Sequence, residues 1–592
     1  MEVMKSHLCF SPLFVLLLLL LFFFFVGPCL AQISIEDDGQ QQIQRSDFPQ
    51  NFFFGTSTSS YQIEGAYLED GGGLSNWDVY SHIPGNIVNN ENGDVADDHY
   101  HRYLEDIEIM HSLGVNAYRF SISWARVLPR GRFGNVNPKG ILFYNKIIDN
   151  LVLRGIEPFV TIYHHELPQI LEDSYGGWLS HLIQEDFAHL ATICFNEFGD
   201  RVKYWMTLNE PNHVAEFAYL TGQLAPGRCS PPFGNCSVGN SDIEPLVAMH
   251  NMLMAHAKAV DIYRKHFQKK QGGFIGIVAN IFMYEPLRDE EVDRQAVKRA
   301  LAFNAAWMLD PLVYGDYPAE MRDCLGSELP WFSDRDTELI KGSMDFIGLN
   351  HYSALYVKDC IYSACSVGDD HPIRGFLSKL PERDGVPIGE PTGMKRFFVV
   401  PSALEKVIDY LKHRYNNIPI FVTENGYSSK QHENEQVEDL LEDVNRVEYH
   451  KAYLAALASA IRDGADVRGY FIWSLLDNFE WTLGYTVRFG LFHVDRFTNS
   501  LQRTPKLSAK QKSEIKEGSF INGVGSRNNS DDGNGGALGN MVAAIADEIC
   551  CTDVDNDGSL HAPDFQRHFS FFTSLYVTSI LLSFFSPLNL VL

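Results

Sequence analysis

Two glutamates stand where apolar runs end. Glu210 closes "YWMTLNE" just before Pro211, and Glu424 lies within "IPIFVTENG", 214 positions further along the chain. A carboxylic acid that protonates a leaving oxygen and a carboxylate that attacks the anomeric carbon form the pair that splits a glycosidic bond with retention. Burial beside a second negative charge keeps a carboxyl protonated, whereas a nearby cation and hydrogen bonds keep it ionised. Glu210, after an apolar strand and before a proline, suits the protonated role. Glu424 suits the ionised role, with Arg119, Asn350 and Tyr352 as its candidate supports. For either glutamate alone a salt bridge at a strand end competes with this reading, and the case rests on the whole set.

No helix or hairpin joins residues so far apart, but a fold that gathers strand ends on one face does. Short apolar runs read as buried strands: "NFFFGTSTS", "NAYRFSIS", "EPFVTIYH", "KYWMTLNE", "FIGIVANI", "DFIGLNHY", "IPIFVTEN" and "VRGYFIWSL". Amphipathic stretches lie between most of them. In "YHRYLEDIEIMHSLG", Tyr103, Ile107, Ile109, Met110 and Leu113 recur at helical spacing. This alternation predicts an α/β fold, a single (β/α)8 TIM barrel with long βα loops, whose active-site face is formed by the C-terminal strand ends. Gln62 and Glu64 then follow the first strand, Arg119 lies in the second, and His164 ends the third. Asn209 and Glu210 end the fourth, Asn350 and Tyr352 the sixth, Glu424 the seventh and Trp473 the eighth, with Glu480 and Trp481 just beyond.

A neutral polyhydroxylated ring needs donors and acceptors in a fan, plus one flat apolar surface. The Gln, Asn, His and Trp side chains at this mouth supply both. For His164 the competing reading is a hydrogen-bonded core histidine, and for Trp473 an ordinary core residue. The negative charge of Glu480 would repel a 6-phosphate, which argues against a phosphorylated sugar.

These motifs are similar to those of family 1 of the glycoside hydrolases, specifically the plant β-glucosidases. The likeness runs from about Asp47 to Lys510 and rests on "FFFGTSTSSYQIEGA", "TLNEP", "TENG" and "WSLLDNFEW". It implies that Glu210 is the acid/base and Glu424 the nucleophile. It further implies that Gln62, His164, Asn209, Glu480 and Trp481 bond the sugar hydroxyls, that Trp473 forms the floor under the sugar, and that Phe489 in "VRFG" closes the pocket; Tyr352 belongs to the same substrate-facing set. The expected activity is hydrolysis of terminal β-D-glucosyl residues from a small-molecule glucoside or oligosaccharide, without cofactor or metal. A transglucosidase on the same scaffold is the alternative, and a non-catalytic carbohydrate-binding protein, which would lack one glutamate, the remote one. The chain departs from the family pattern at His165 and Glu166, where an aromatic and an aspartate are usual, and after "RTPKLSAK", where Gln511 and Lys512 replace an aromatic pair.

The remaining composition bounds the setting. A formal net charge of −27 over 592 residues argues against nucleic acid and anionic membrane as partners. Residues 1–31 read as a signal peptide, with an uncleaved signal anchor as the alternative, and 32–46 as a short extension. The glycosidase domain is expected over 47–512, followed by a polar linker (513–568) and an apolar tail (569–592). That tail reads as an anchor signal, a tail anchor or an altered gene-model end. The expected location is the secretory pathway, ending in the wall space or vacuole, with membrane contact only through the tail; no oligomer is assigned. Cys229 and Cys236 suit a local disulfide, Cys360 and Cys365 a second, and Cys194 a buried free thiol. Asn235 and Asn528 head glycosylation sequons. "DVDNDGSLHAPD" places Asp553, Asp555, Asp557, Gly558 and Asp564 at EF-hand ligand positions. It is solitary and ends in Asp, so an acidic linker is the preferred reading.

Overall fold

The computed structural model describes residues 43–430, 437–496, 498 and 500–512. The leader, Asn528, the EF-hand-like run and the apolar tail lie outside the described residues. All eight runs are strands: β1 Phe53–Ser57, β2 Ala117–Ser121, β3 Glu157–Tyr163, β4 Tyr204–Asn209, β5 Phe274–Asn280, β6 Phe346–Asn350, β7 Ile420–Asn425 and β8 Val467–Trp473. Parallel pairing in sequence order closes them into a barrel, with β8 joined to β1 through Phe53–Ser57 against Gly469–Trp473. Both faces are buried, inside by packed side chains and outside by helices, which is why the runs are continuously apolar rather than alternating.

The lower part of the barrel interior is a layer of large side chains, including Phe159, Met206, Val278, Phe346, Phe421 and Phe471. Side chains two positions apart share a strand face. Two residues beyond this layer, the same inward face therefore presents Arg119 after Ala117, Asn280 after Val278 and Trp473 after Phe471; Asn350 lies four beyond Phe346. An apolar plug thus floors a polar chamber. Around the mouth, a three-stranded sheet of Met283–Pro286, Ala354–Asp359 and Leu377–Leu380 forms part of the βα-loop wall.

The helix His99–Leu113 departs from the expected face. Ile107, Met110 and Leu113 are buried, but His99 and Asp106 accompany them, while Tyr103 and Ile109 are half-buried. Asp106 accepts from Arg503 Nε at 2.8 Å and Nη2 at 3.0 Å, and contacts His99 Nδ1 at 2.8 Å. A buried charge needs such partners. This knot ties the C-terminal strand Arg503–Pro505 to the helix, and apolar periodicity cannot foresee it.

Cys229–Cys236 and Cys360–Cys365 are disulfides, while Cys194 is free and buried. Cys324 is also free. Among the described residues no helix is long and apolar enough to cross a membrane.

Candidate active site

The two glutamates are aimed by irregularities at their strand ends. The β4–β5 register shifts between Met206 and Asn209, and Glu210, one residue beyond β4, adopts a left-handed backbone with φ of 49°. On β7 the register shifts against β6 between Val422 and Glu424 and against β8 between Val422 and Asn425. Bulges of this kind re-aim side chains at barrel rims. Asn425 anchors the turn: it donates to the His351 carbonyl at 2.6 Å and accepts from Tyr470 at 2.7 Å.

Gly426, which completes "TENG", passes so close to β8 that a Cβ there would sit 1.9 Å from the Trp473 carbonyl oxygen. That contact locks the carboxylate strand to the tryptophan strand. Gly426→Ala is expected to lower stability by about 2 kcal/mol through forced backbone displacement, read as a drop in melting temperature. An unchanged melting temperature and turnover would refute the close approach.

Glu424 is buried, with Arg119 Nη1 donating to Oε1 at 2.5 Å and Tyr352 Oη donating to Oε2 at 2.6 Å. Arg119 is wholly inaccessible and spends its other terminal nitrogen on Asn209 Oδ1 at 2.5 Å. Glu210 has no such cation in contact. Its Oε1 accepts from two neutral amides, Asn350 at 2.6 Å and Asn280 at 3.0 Å, and Oε2 has His213 Nδ1 only at 3.8 Å. Burial raises both carboxyls above the usual range; Arg119 and Tyr352 oppose this at Glu424, while the charge of Glu210 adds to it. The two carboxyls thus differ in their partners: a cation and a phenol at Glu424, neutral amides at Glu210.

Asn350, expected beside Arg119 and Tyr352 at Glu424, instead puts its amide on Glu210 and on Asn209 Oδ1, at 3.2 Å. It reaches the nucleophile strand only through its Oδ1, which accepts from Thr423 at 2.7 Å. The reason is the register: Asn350, at the end of β6, pairs with Asn280, at the end of β5, and both amides meet at Glu210 Oε1. Asn280 is a partner that sequence reading missed. Its position at the end of "FIGIVAN" carried the signal, since every other flagged polar residue also sits at or near a strand end.

The remaining predicted residues surround this pair. Asn209 Nδ2 donates to His164 Nε2 at 3.1 Å, which assigns the ring proton to Nδ1. That nitrogen is buried and has no protein partner among the described residues. Burial and the nearby His165 and Arg119 hold His164 well below the usual histidine range, so its ring is neutral. Gln62 accepts from Ser59 at 2.6 Å and donates to the Phe479 carbonyl at 2.8 Å, with Glu480 Oε2 at 3.4 Å. Burial, with the charges of Glu424 and Glu210, pushes Glu480 up to about 8 against the hydrogen bonds from Asn478 and Gln62. Tyr352, Trp473 and Phe489 pack into one aromatic cluster, and the His164 ring lies 6.0 Å from both Trp473 and Trp481.

At the two departures, His165 takes a left-handed backbone with φ of 68° and its ring lies 5.0 Å from Trp481. Glu166 turns away, accepting from the Trp124 backbone N–H at 2.9 Å, and burial near Asp78 pushes it up to about 8. Glu64 is structural: it accepts from Arg126 at 2.9 Å and Tyr144 at 2.7 Å. Among the described residues no group of His, Cys, Asp and Glu is arranged to hold a metal ion.

A barrel mouth with two buried, unequally partnered glutamates can protonate one oxygen while presenting one carboxylate. The family model "Glycosyl hydrolase family 1" matches residues 44–519. The chain belongs to glycosyl hydrolase family 1. It is thus a glycoside hydrolase of the retaining class. It is 55% identical over 484 residues to a protein of Oryza sativa subsp. japonica named "Probable inactive beta-glucosidase 14", covering 82% of this chain and 93% of that one. It is 51% identical to the coniferin β-glucosidase of Pinus contorta, covering 79% of this chain and 92% of the relative. The crystal structure of a rice Os3BGlu6 β-glucosidase superposes with a TM-score of 0.78 at 44% identity, covering 80% of this chain and 99% of that one.

Proposed function

We propose that this family 1 chain hydrolyses terminal β-D-glucosyl residues from small glucosides by double displacement, with Glu424 as nucleophile and Glu210 as acid/base. The observation that carries this is the unequal partnering of the two carboxyls: a buried cation and a phenol at Glu424, neutral amides only at Glu210. Glu424 attacks the anomeric carbon while Glu210 protonates the departing oxygen. Glu210, now ionised, then takes a proton from water as that water attacks the glycosyl ester, and the enzyme is regenerated with net retention. Both glutamates are in place here, which supports catalysis despite the word "inactive" in one relative's name.

Trp473 is the proposed floor for the sugar's apolar face, with Phe489 and Tyr352 beside it. His164 Nδ1, Glu480, Gln62, Asn209 and Trp481 are the proposed hydroxyl partners. The β-glucosidase names of relatives at 51 and 55% identity support glucose as the sugar. The two disulfides support a secretory route.

The test is proton NMR of the first product formed from an aryl β-glucoside, run with and without an acceptor alcohol. Early β-glucose, with transfer product appearing only as the alcohol is raised, is the expected result. Early α-glucose would overturn double displacement. Transfer product dominating at low alcohol would make the chain a transglucosidase instead.

A further inference from the structure

A second set of charges lies just beyond Glu210 along the chain. Glu216 sits six residues beyond Glu210 in the same helical run, and three cations converge on it. Arg374 Nη1 is 3.1 Å and Lys379 Nζ 3.6 Å from its Oε1, and Arg396 Nη2 donates to the Lys379 carbonyl at 2.8 Å. Burial alone would raise Glu216, but Lys379, Arg374, His213 and Arg396 together bring it down to about 2. One carboxylate therefore answers three cations, in a protein whose formal net charge is −27. Arg374 Nε is buried without a hydrogen-bond partner among the described residues.

Two contacts connect the cluster to the carboxyls of the mouth. On one side, His213 links Glu210 to Glu216, lying 3.8 Å from the former and carried on the same run as the latter. On the other, Phe397, next to Arg396, packs 5.3 Å from the ring of Tyr352, which holds Glu424. The Phe217 ring lies 4.4 Å from that of His213, giving the same rim an aromatic edge. A group that takes its proton from Glu210 starts from a carboxyl whose Oε2 lies 3.8 Å from His213, the link to Glu216.

We propose that Arg374, Lys379 and Arg396 form a specificity site for an anionic leaving group, namely a carboxylate on an aromatic aglycone. This rests on the glucosidase reading above. Cations at a half-buried rim attract an anion without enclosing it, so the effect falls on kcat/KM and is screened by salt. Glu216 partly neutralises the cluster and orients Arg374.

The test compares matched aryl β-glucosides: 4-carboxyphenyl against 4-carbamoylphenyl, and 4-(2-carboxyethenyl)phenyl against its amide. The readout is the acid-to-amide ratio of kcat/KM. The wild type should favour the acid of at least one pair. Lys379→Gln or Arg396→Gln should each lower that ratio by about fivefold, as expected for one partly exposed charge interaction. Added NaCl should lower it in the unmodified enzyme, which needs no variant to fold, and Glu216→Gln should raise it. Turnover of the amides with a ratio of one or below in both pairs would overturn the proposal, as would a ratio that salt and substitution leave unmoved. Failure to turn over any of the four glucosides would sink the glucosidase reading instead.

Discussion

Glu424→Gly is expected to lose aryl β-glucoside turnover by about five orders of magnitude, the scale seen when a covalent nucleophile is deleted. Added azide or formate should restore turnover with an α-configured product. The deletion leaves a small cavity lined by Arg119 Nη1 and Tyr352 Oη, both donors that lose their acceptor. Such a pair, buried with Arg119 wholly inaccessible, is a ready site for a small anion. The anion then attacks the anomeric carbon from the face Glu424 used, the aglycone leaves with the proton of Glu210, and no second displacement follows. One inversion replaces two. Substantial activity in the variant without added anion would mean that Glu424 is only a strand-end ion-pair partner, and the whole site assignment would fall with it.

Glu210→Gln is expected to divide substrates by their leaving groups. The amide can still accept from Asn280 and Asn350, so the local geometry is kept while the transferable proton is removed. Unactivated phenyl glucosides should lose about a thousandfold in kcat/KM, the upper range of general-acid effects. A 2,4-dinitrophenyl glucoside needs no protonation, so its first step should survive. Its second step has lost the general base, and a burst of dinitrophenol followed by slow release should appear. Azide should accelerate that release and yield the β-configured azide. The pH profile carries the same information with a definite sign. As pH falls, protonation of Glu424 removes the nucleophile; as pH rises, ionisation of Glu210 removes the acid. Burial raises both groups, so the wild-type bell should be displaced to higher pH than free carboxyls would give. The variant should keep the acid limb and lose the alkaline one. Equal losses for both leaving groups, with the bell intact, would make Glu210 a structural residue.

The partition between sequence and tertiary structure follows from what periodicity can encode. Continuous apolar runs marked all eight barrel strands, because a strand buried on both faces has no polar side to show. Polar residues at the ends of such runs are costly unless they serve a site, so Glu210, Glu424, Arg119, Asn209, His164 and Trp473 stood out before any coordinates. The local disulfides were legible because short loops can close without long-range help.

Three things were not legible. Asn350 joined Glu210 rather than Glu424, since the side a strand-end residue serves depends on the pleat and on register shifts of β4 and β7 that leave no mark on composition. Glu480 read simply as a charge, but burial and the charges of Glu424 and Glu210 push it upward, and such enclosure is a property of the packed mouth. The cations at the rim come from residues 374, 379 and 396, and Glu216 from more than 150 positions earlier; only the folded loops bring them together. The sequence by itself determined the barrel and marked the two glutamates at its strand ends, through local pattern. Tertiary structure decided which partners each carboxylate has and which cations gather around Glu216, because both depend on distances between residues that the chain keeps far apart.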